Sequence, residues 1–138
     1  KQALKDFNLK PALLGIEVTE SGYLENTYHY KKLWSSLKEE GITLILDDYG
    51  TGYSNAYRLS DLTPHYIKID RVLTQKALSS NYERSILIYI IEMAHSLKLK
   101  VCIEGVETEE ELQEIKEDMK YQKKAAYQEI MLENYILQ

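Results

Sequence analysis

The sequence predicts an α/β fold in which mainly parallel strands alternate with helices. Two observations carry that expectation: short Ile/Val/Leu-rich runs recur, and amphipathic stretches separate them. The predicted strands are Leu14–Thr19, Thr43–Asp47, Tyr66–Asp70 and Val101–Glu104. Closing a (β/α) barrel usually takes eight strands and about 250 residues. A chain of 138 residues with four such strands is therefore either an open sheet or part of a barrel.

The helices follow from period and punctuation. Tyr30, Leu33, Trp34 and Leu37 fall on one helical face, in a segment that starts at Asn26 or Thr27 and stops at Gly41, with Trp34 in the core. A second helix runs from about Ser80 to Leu97, where Ile86, Ile90, Met93, Ala94 and Leu97 recur at helical spacing. Thr108 and Glu111 form a capping box, and Glu109, Glu110 and Glu111 place negative charge where the helix dipole favours it. Residues 1–119 read as one α/β unit. Beyond it the chain is Lys/Glu/Tyr-rich, with no glycine after Gly105 and no proline after Pro64, so 120–138 reads as a helical tail.

Composition narrows the function. Hydrophobic residues make up 44% of the chain and charged residues 28%, enough apolar surface for a core. A net charge of -5 argues against a nucleic-acid duplex as partner, since phosphate neutralisation needs a basic face. The longest apolar run, Ile86 to Ile91, ends at Glu92, far short of the roughly 20 residues of a membrane span. The first residues do not follow signal-peptide order. Cys102 has no partner cysteine, which makes a reducing, cytoplasmic compartment the expectation.

The chemistry lies at the strand ends. Glu17 and Glu20 close the first strand, Asp47 and Asp48 the second, Lys68 and Asp70 the third, and Glu104 the fourth. In parallel α/β folds these ends open into one crevice, so distant residues converge on a ligand. Carboxylates gathered there repel one another unless cations sit between them. An all-oxygen set suits Mg or Mn, and two such ions can grip a phosphodiester and activate a water. Each residue also has a plainer reading. Side chains alternate along a strand, so Asp47 and Asp48 share the crevice only if the strand has ended at Asp48. Asp48 could instead merely open the Gly50-Thr51-Gly52 turn, Lys68 could lie on the outer face, and Glu107 could simply belong to an acidic helix start. None of His29, His65 and His95 is placed as a catalytic base, and Cys102, between Val101 and Ile103, reads as a buried inert thiol.

Four ordered motifs then carry a resemblance: Ile16-Glu17-Val18-Thr19-Glu20-Ser21, Asp47-Asp48-Tyr49-Gly50-Thr51-Gly52-Tyr53-Ser54, Ile67-Lys68-Ile69-Asp70-Arg71 and Glu104-Gly105-Val106-Glu107-Thr108. Over roughly Leu9 to Leu112 the chain resembles the EAL domain family. The resemblance implies a partial TIM-barrel-like fold and a phosphodiesterase that linearises cyclic di-GMP with two Mg or Mn ions. It implies Glu17, Asp47, Asp48 and Glu104 as metal ligands, with Asp47 bridging the ions, and Lys68 as the residue that orients or deprotonates the attacking water. It also implies that Glu20 anchors the loop from Asp48 to Ser54, and that Glu107 and Asp70 support the metals or the substrate pocket. The family's Glu-Ala-Leu strand and the next strand, with its ligand asparagine, do not occur in these residues. Nor is a Gln-Gly pair found downstream, where Gln128 is followed by Glu129. The expectation is therefore weak or no hydrolysis by this chain alone, with a non-catalytic module binding the nucleotide or a protein partner as the alternative. Half a barrel leaves strand edges and apolar faces open, so homo-oligomerisation is expected, as are sensory or signalling domains upstream in the parent protein.

Overall fold

The computed structural model describes Leu4, residues 6–25, 27–51, Leu59, residues 62–122 and 130–132. A 3₁₀ turn, Pro11–Leu13, leads into strand β1 (Gly15–Thr19), helix α1 (Glu20–Glu25) and helix α2 (Thr27–Glu39). Strands β2 (Thr43–Tyr49) and β3 (Tyr66–Ile69) follow, then α3 (Arg71–Ser79), α4 (Asn81–Ser96), β4 (Lys100–Ile103), α5 (Glu109–Gln122) and β5 (Ile130–Leu132). The strands form one five-stranded sheet in the order β1-β2-β3-β4-β5, and every neighbouring pair is parallel. Among the described residues β1 and β5 are its edges, so the sheet is open.

Strand alternation divides the sheet into two faces. One carries Leu44, Leu46, Ile67, Ile69, Val101 and Ile103, all at most 2% exposed, against a helical layer that contributes Trp34, Leu73, Leu87, Ile91, Leu112 and Ile115. Each such buried aliphatic side chain contributes about 1.5–3 kcal/mol, so this interface holds the fold together. The opposite face carries Glu17, Asp47 and Lys68, and of the three Lys68 alone is buried.

Local signals set the helix ends. Asp70 caps α3 by accepting the Val72 N–H at 2.8 Å. The capping box forms: the Thr108 hydroxyl accepts the Glu111 N–H at 3.2 Å, and the Glu111 carboxylate accepts the Glu107 and Thr108 N–H groups. Arg84 donates to the last carbonyls of α3, Ala77 at 3.1 Å and Leu78 at 3.3 Å, and pairs with Glu114, tying α3, α4 and α5 at one corner.

Several expectations are corrected. Ile130–Leu132 is a strand parallel to β4, not part of a helical tail, because its backbone completes the ladder that β4 leaves open. Helix α5 reaches Gln122, and the rest of the tail, Gln128 included, lies outside the described residues. Leu33 and Leu97 are 44% and 48% exposed, for the α2 stripe centres on Trp34 and Leu97 is the C-cap of α4 rather than part of its buried face. Two helices, α1 and α3, occupy segments that the periodicity left unassigned.

His65 joins β2 to β3 before the ladder begins. Its backbone N–H donates to the Leu44 carbonyl at 2.8 Å, and its Nδ1 accepts the Leu44 N–H at 3.0 Å. Burial, then the nearby Lys38 charge, hold the imidazole below its ordinary 6.5, and only the neutral ring can accept that bond. A lowered folded-state value means that the unfolded chain binds the proton first. The His65 contribution is thus complete above about pH 6.5 and is lost as pH falls toward the folded-state value. Urea denaturation at pH 7.5 and 5.5 is expected to show a larger acid loss of stability for the parent chain than for His65→Asn.

Candidate active site

Four strands deliver the site. Glu17 projects from β1, Asp47 from β2 and Lys68 from β3, and Glu104 follows β4 directly. The Lys68 Nζ lies 2.7 Å from Glu104 Oε1, 3.2 Å from Glu17 Oε2 and 3.5 Å from Asp47 Oδ1. Its side chain is 9% exposed, against 43% for Glu17, 19% for Asp47 and 25% for Glu104. A buried ammonium is tolerated only where carboxylates replace its water, and three do so here. The plainer reading of Lys68, an outward-facing lysine, is thereby excluded.

Asp47 and Asp48 share the crevice by a different route from the one the sequence suggests. The β2 ladder does not stop at Asp48 but runs to Tyr49, with its register broken between Leu46 and Tyr49. Leu46 pairs with Ile67 and Tyr49 with Ile69, so β2 carries one residue more than β3 over that interval. This is a β-bulge, which re-aims a side chain and breaks the alternation. Asp48 absorbs it with φ of 58°, and the Asp47 carboxylate accepts the Asp48 N–H at 3.0 Å. Aspartate is among the few side chains that tolerate this left-handed geometry. Burial raises the Asp48 carboxyl above its ordinary value, and the charges of Asp47, Asp70 and Glu104 raise it further against the opposing pull of Lys68.

Glu20 and Tyr49 stand beside this group. Glu20, the first residue of α1, is 3% exposed. Burial and the Glu20 charge push the Tyr49 hydroxyl up to about 12, so it stays protonated near Glu20. The Thr51 hydroxyl donates to the Asp48 carbonyl at 3.1 Å, whereas 52–54 lie outside the described residues. Asp70 neighbours Asp48 while capping α3. Glu107 stands apart on the surface, where it pairs with Arg71 at 2.6 Å. The sequence reading gave Arg71 and Gln75 no role, yet their side chains hold Glu107 and the Gly105 carbonyl. Their spacing of four residues behind the Asp70 cap was the available signal.

The donor set is chemically suited to hard divalent cations, being carboxylate oxygen throughout, and the mutual repulsion felt at Asp48 is what a cation would relieve. Among the described residues no three His, Cys, Asp or Glu side chains are already arranged around a metal position. Glu17, Asp47 and Glu104 turn instead to the Lys68 ammonium.

Comparison with known proteins places this geometry. The profile of the EAL domain matches residues 1–117. The chain belongs to the EAL domain family. The signaling protein YkoW of Bacillus subtilis is 42% identical over 107 residues, covering 78% of this chain and 13% of YkoW. The cyclic di-GMP phosphodiesterase NbdA of Pseudomonas aeruginosa is 36% identical over 118 residues, covering 86% of this chain and 15% of NbdA. The manganese and cyclic di-GMP complex of Klebsiella pneumoniae BlrP1 superposes on 85% of this chain and 30% of its own, with a TM-score of 0.78 and 30% identity. The chain thus spans a small part of the relatives it matches. Among the described residues no helix is long and apolar enough to cross a membrane.

Removing the shared cation tests the site's electrostatics. Lys68→Met keeps the apolar stem but leaves Glu17, Asp47 and Glu104 facing one another. Urea denaturation at pH 7 is expected to show a loss of about 2 kcal/mol. That is less than the ~3–5 of a fully buried pair, because the carboxylates stay partly hydrated.

Proposed function

We propose that this chain is the C-terminal portion of a metal-dependent phosphodiesterase domain that hydrolyses cyclic di-GMP to the linear dinucleotide. The observation that carries the reading is the convergence of Glu17, Asp47 and Glu104 on Lys68 from four successive parallel strands. The family membership supports it, as do NbdA, described as a cyclic di-GMP phosphodiesterase, and BlrP1, solved with manganese and that nucleotide.

In this reading Glu17, Asp47, Asp48 and Glu104 would hold two divalent ions, Mg or Mn, Asp47 contributing to both. The ions, when bound, neutralise the phosphodiester and lower the cost of generating a nucleophile from water. Lys68 holds the attacking water in line. A water oxygen bonds to phosphorus, one ribose oxygen leaves and takes up a proton, and a linear dinucleotide results. The bulge at Asp48 serves this chemistry by presenting two consecutive carboxylates to one crevice. Glu20, buried beside Tyr49, anchors the loop that starts at Asp48, and Asp70 keeps α3 in place below it. Glu107 acts in support of the turn that carries Glu104.

These residues contain no Glu-Ala-Leu strand, so the isolated chain is expected to give weak or no product. Fused behind a Glu-Ala-Leu-bearing half-barrel of an EAL phosphodiesterase, it is expected to give Mn-dependent linear dinucleotide by chromatography. Lys68→Ala is expected to slow that reaction by about 10²–10⁴-fold, and Asp47→Asn to abolish it. A fusion that binds the nucleotide without turnover would favour the non-catalytic reading instead.

The same proposal includes self-association and upstream sensory or signalling domains. Among the described residues β1 is an edge of the open sheet, which a second copy can pair with. Light scattering is expected to give a mass above that of the monomer, and a monodisperse monomer would contradict it.

A further inference from the structure

Of the three carboxylates Glu104 lies closest to Lys68, yet it sits in a turn rather than in a strand. Its backbone N–H donates to the Ile69 carbonyl at 3.1 Å, the last rung of the β3–β4 ladder. The next residue, Gly105, is buried with φ of 78°, and a Cβ there would lie 2.4 Å from Arg71 Cγ and 3.2 Å from Arg71 Cα. Only glycine lets the turn press so closely on the first residue of α3. From that helix two side chains, one turn apart on the same face, reach the turn. The Gln75 amide donates to the Gly105 carbonyl, and Arg71 pairs with Glu107 at 2.6 Å. Arg71 and Glu107 are 65% and 53% exposed, so solvent and salt screen that pair and leave it a weak hold. Gln75 is half-buried and its acceptor belongs to a buried residue, which makes the amide the stronger hold.

We infer that Gln75 is a positioning residue, which fixes the Glu104 carboxylate against Lys68 by holding the Gly105 carbonyl; the catalytic consequence rests on the function proposed above. The main-chain tie to Ile69 fixes where the Glu104 residue enters the turn, and the Gln75 tie fixes how it leaves. With both ends set, the carboxylate faces Lys68. With the second released, Gly105 is free to rotate, and the carboxylate swings toward solvent.

The test compares the parent chain with Gln75→Met, which keeps the bulk and loses the donor, and Gln75→Lys, which restores a donor. The first readout needs no metal: nuclear Overhauser contacts between the Lys68 Cε protons and the Glu104 Cγ protons. They are expected in the parent chain and in Gln75→Lys, and absent from Gln75→Met. The second is Mn²⁺ affinity, from free Mn²⁺ by electron paramagnetic resonance, expected to fall by about tenfold in Gln75→Met and by less than about twofold in Gln75→Lys. If the parent chain binds no Mn²⁺, the affinity is measured in the half-barrel fusion, where no binding means that the metal reading fails on its own, and the proton contacts still decide the role of Gln75. Contacts that persist in Gln75→Met, even alongside a loss of stability, would show a merely structural amide and overturn the inference.

Discussion

Burying one ammonium is the constraint on which the open face of this sheet depends. Lys68 is held in β3 by Ile67 and Ile69, which point the other way into the core and are fully buried. Its own side chain must therefore enter the opposite face, whatever that costs in hydration. The cost is offset only by negative charge, and Glu17, Asp47 and Glu104 provide it from the strands on both sides. Three carboxylates so close would repel one another without the lysine, so each side of the arrangement requires the other. A crevice at the carboxyl ends of parallel strands, with three carboxylates around one ammonium, is the result.

The remainder of the structure serves that crevice. The helical layer buries the outer face and sets the strands in register, while the bulge after Leu46 turns Asp48 toward the same side as Asp47. A glycine with positive φ follows both acidic stretches, Gly50 after Asp48 and Gly105 after Glu104, and each lies against α3. A Cβ at Gly50 would meet Leu73 Cδ2 at 2.7 Å, and one at Gly105 would strike Arg71. Helix α3 is thus the plate against which both turns are pressed, and the Asp70 cap fixes where it begins.

Much of this was legible in the sequence, and the gaps have physical causes. The first four strands stood out because Ile, Val and Leu cluster there between polar stretches, and the Thr108 cap because its signature is local. Lys68 could be placed on either face from pattern alone, since alternation gives a side but not which side is the core. Helix α3 was missed because its buried stripe is Leu73, Thr74 and Ala77, too small and too polar to register as amphipathic. Strand β5 was missed because three residues in a Lys/Glu/Tyr-rich tail carry no period, and only the open edge of β4 gives them a partner. The bulge was invisible for a deeper reason: it belongs to the mismatch between two strands, and neither strand encodes it alone. The proposal of cyclic di-GMP as substrate rests on the resemblance carried by the four motifs taken together, not on any single residue.

The most direct test of the account is to locate the ion. Crystals of the chain fused behind a Glu-Ala-Leu-bearing half-barrel and soaked in MnCl₂ would be examined by anomalous diffraction at the manganese edge. The expected result is a peak within the carboxylate cluster, about 2.0–2.2 Å from oxygens of Asp47 and of Glu17 or Glu104, with Lys68 Nζ displaced from its shared position. A peak confined to other surface carboxylates, or none with Lys68 still at the centre, would contradict the reading of this crevice as a metal-dependent site.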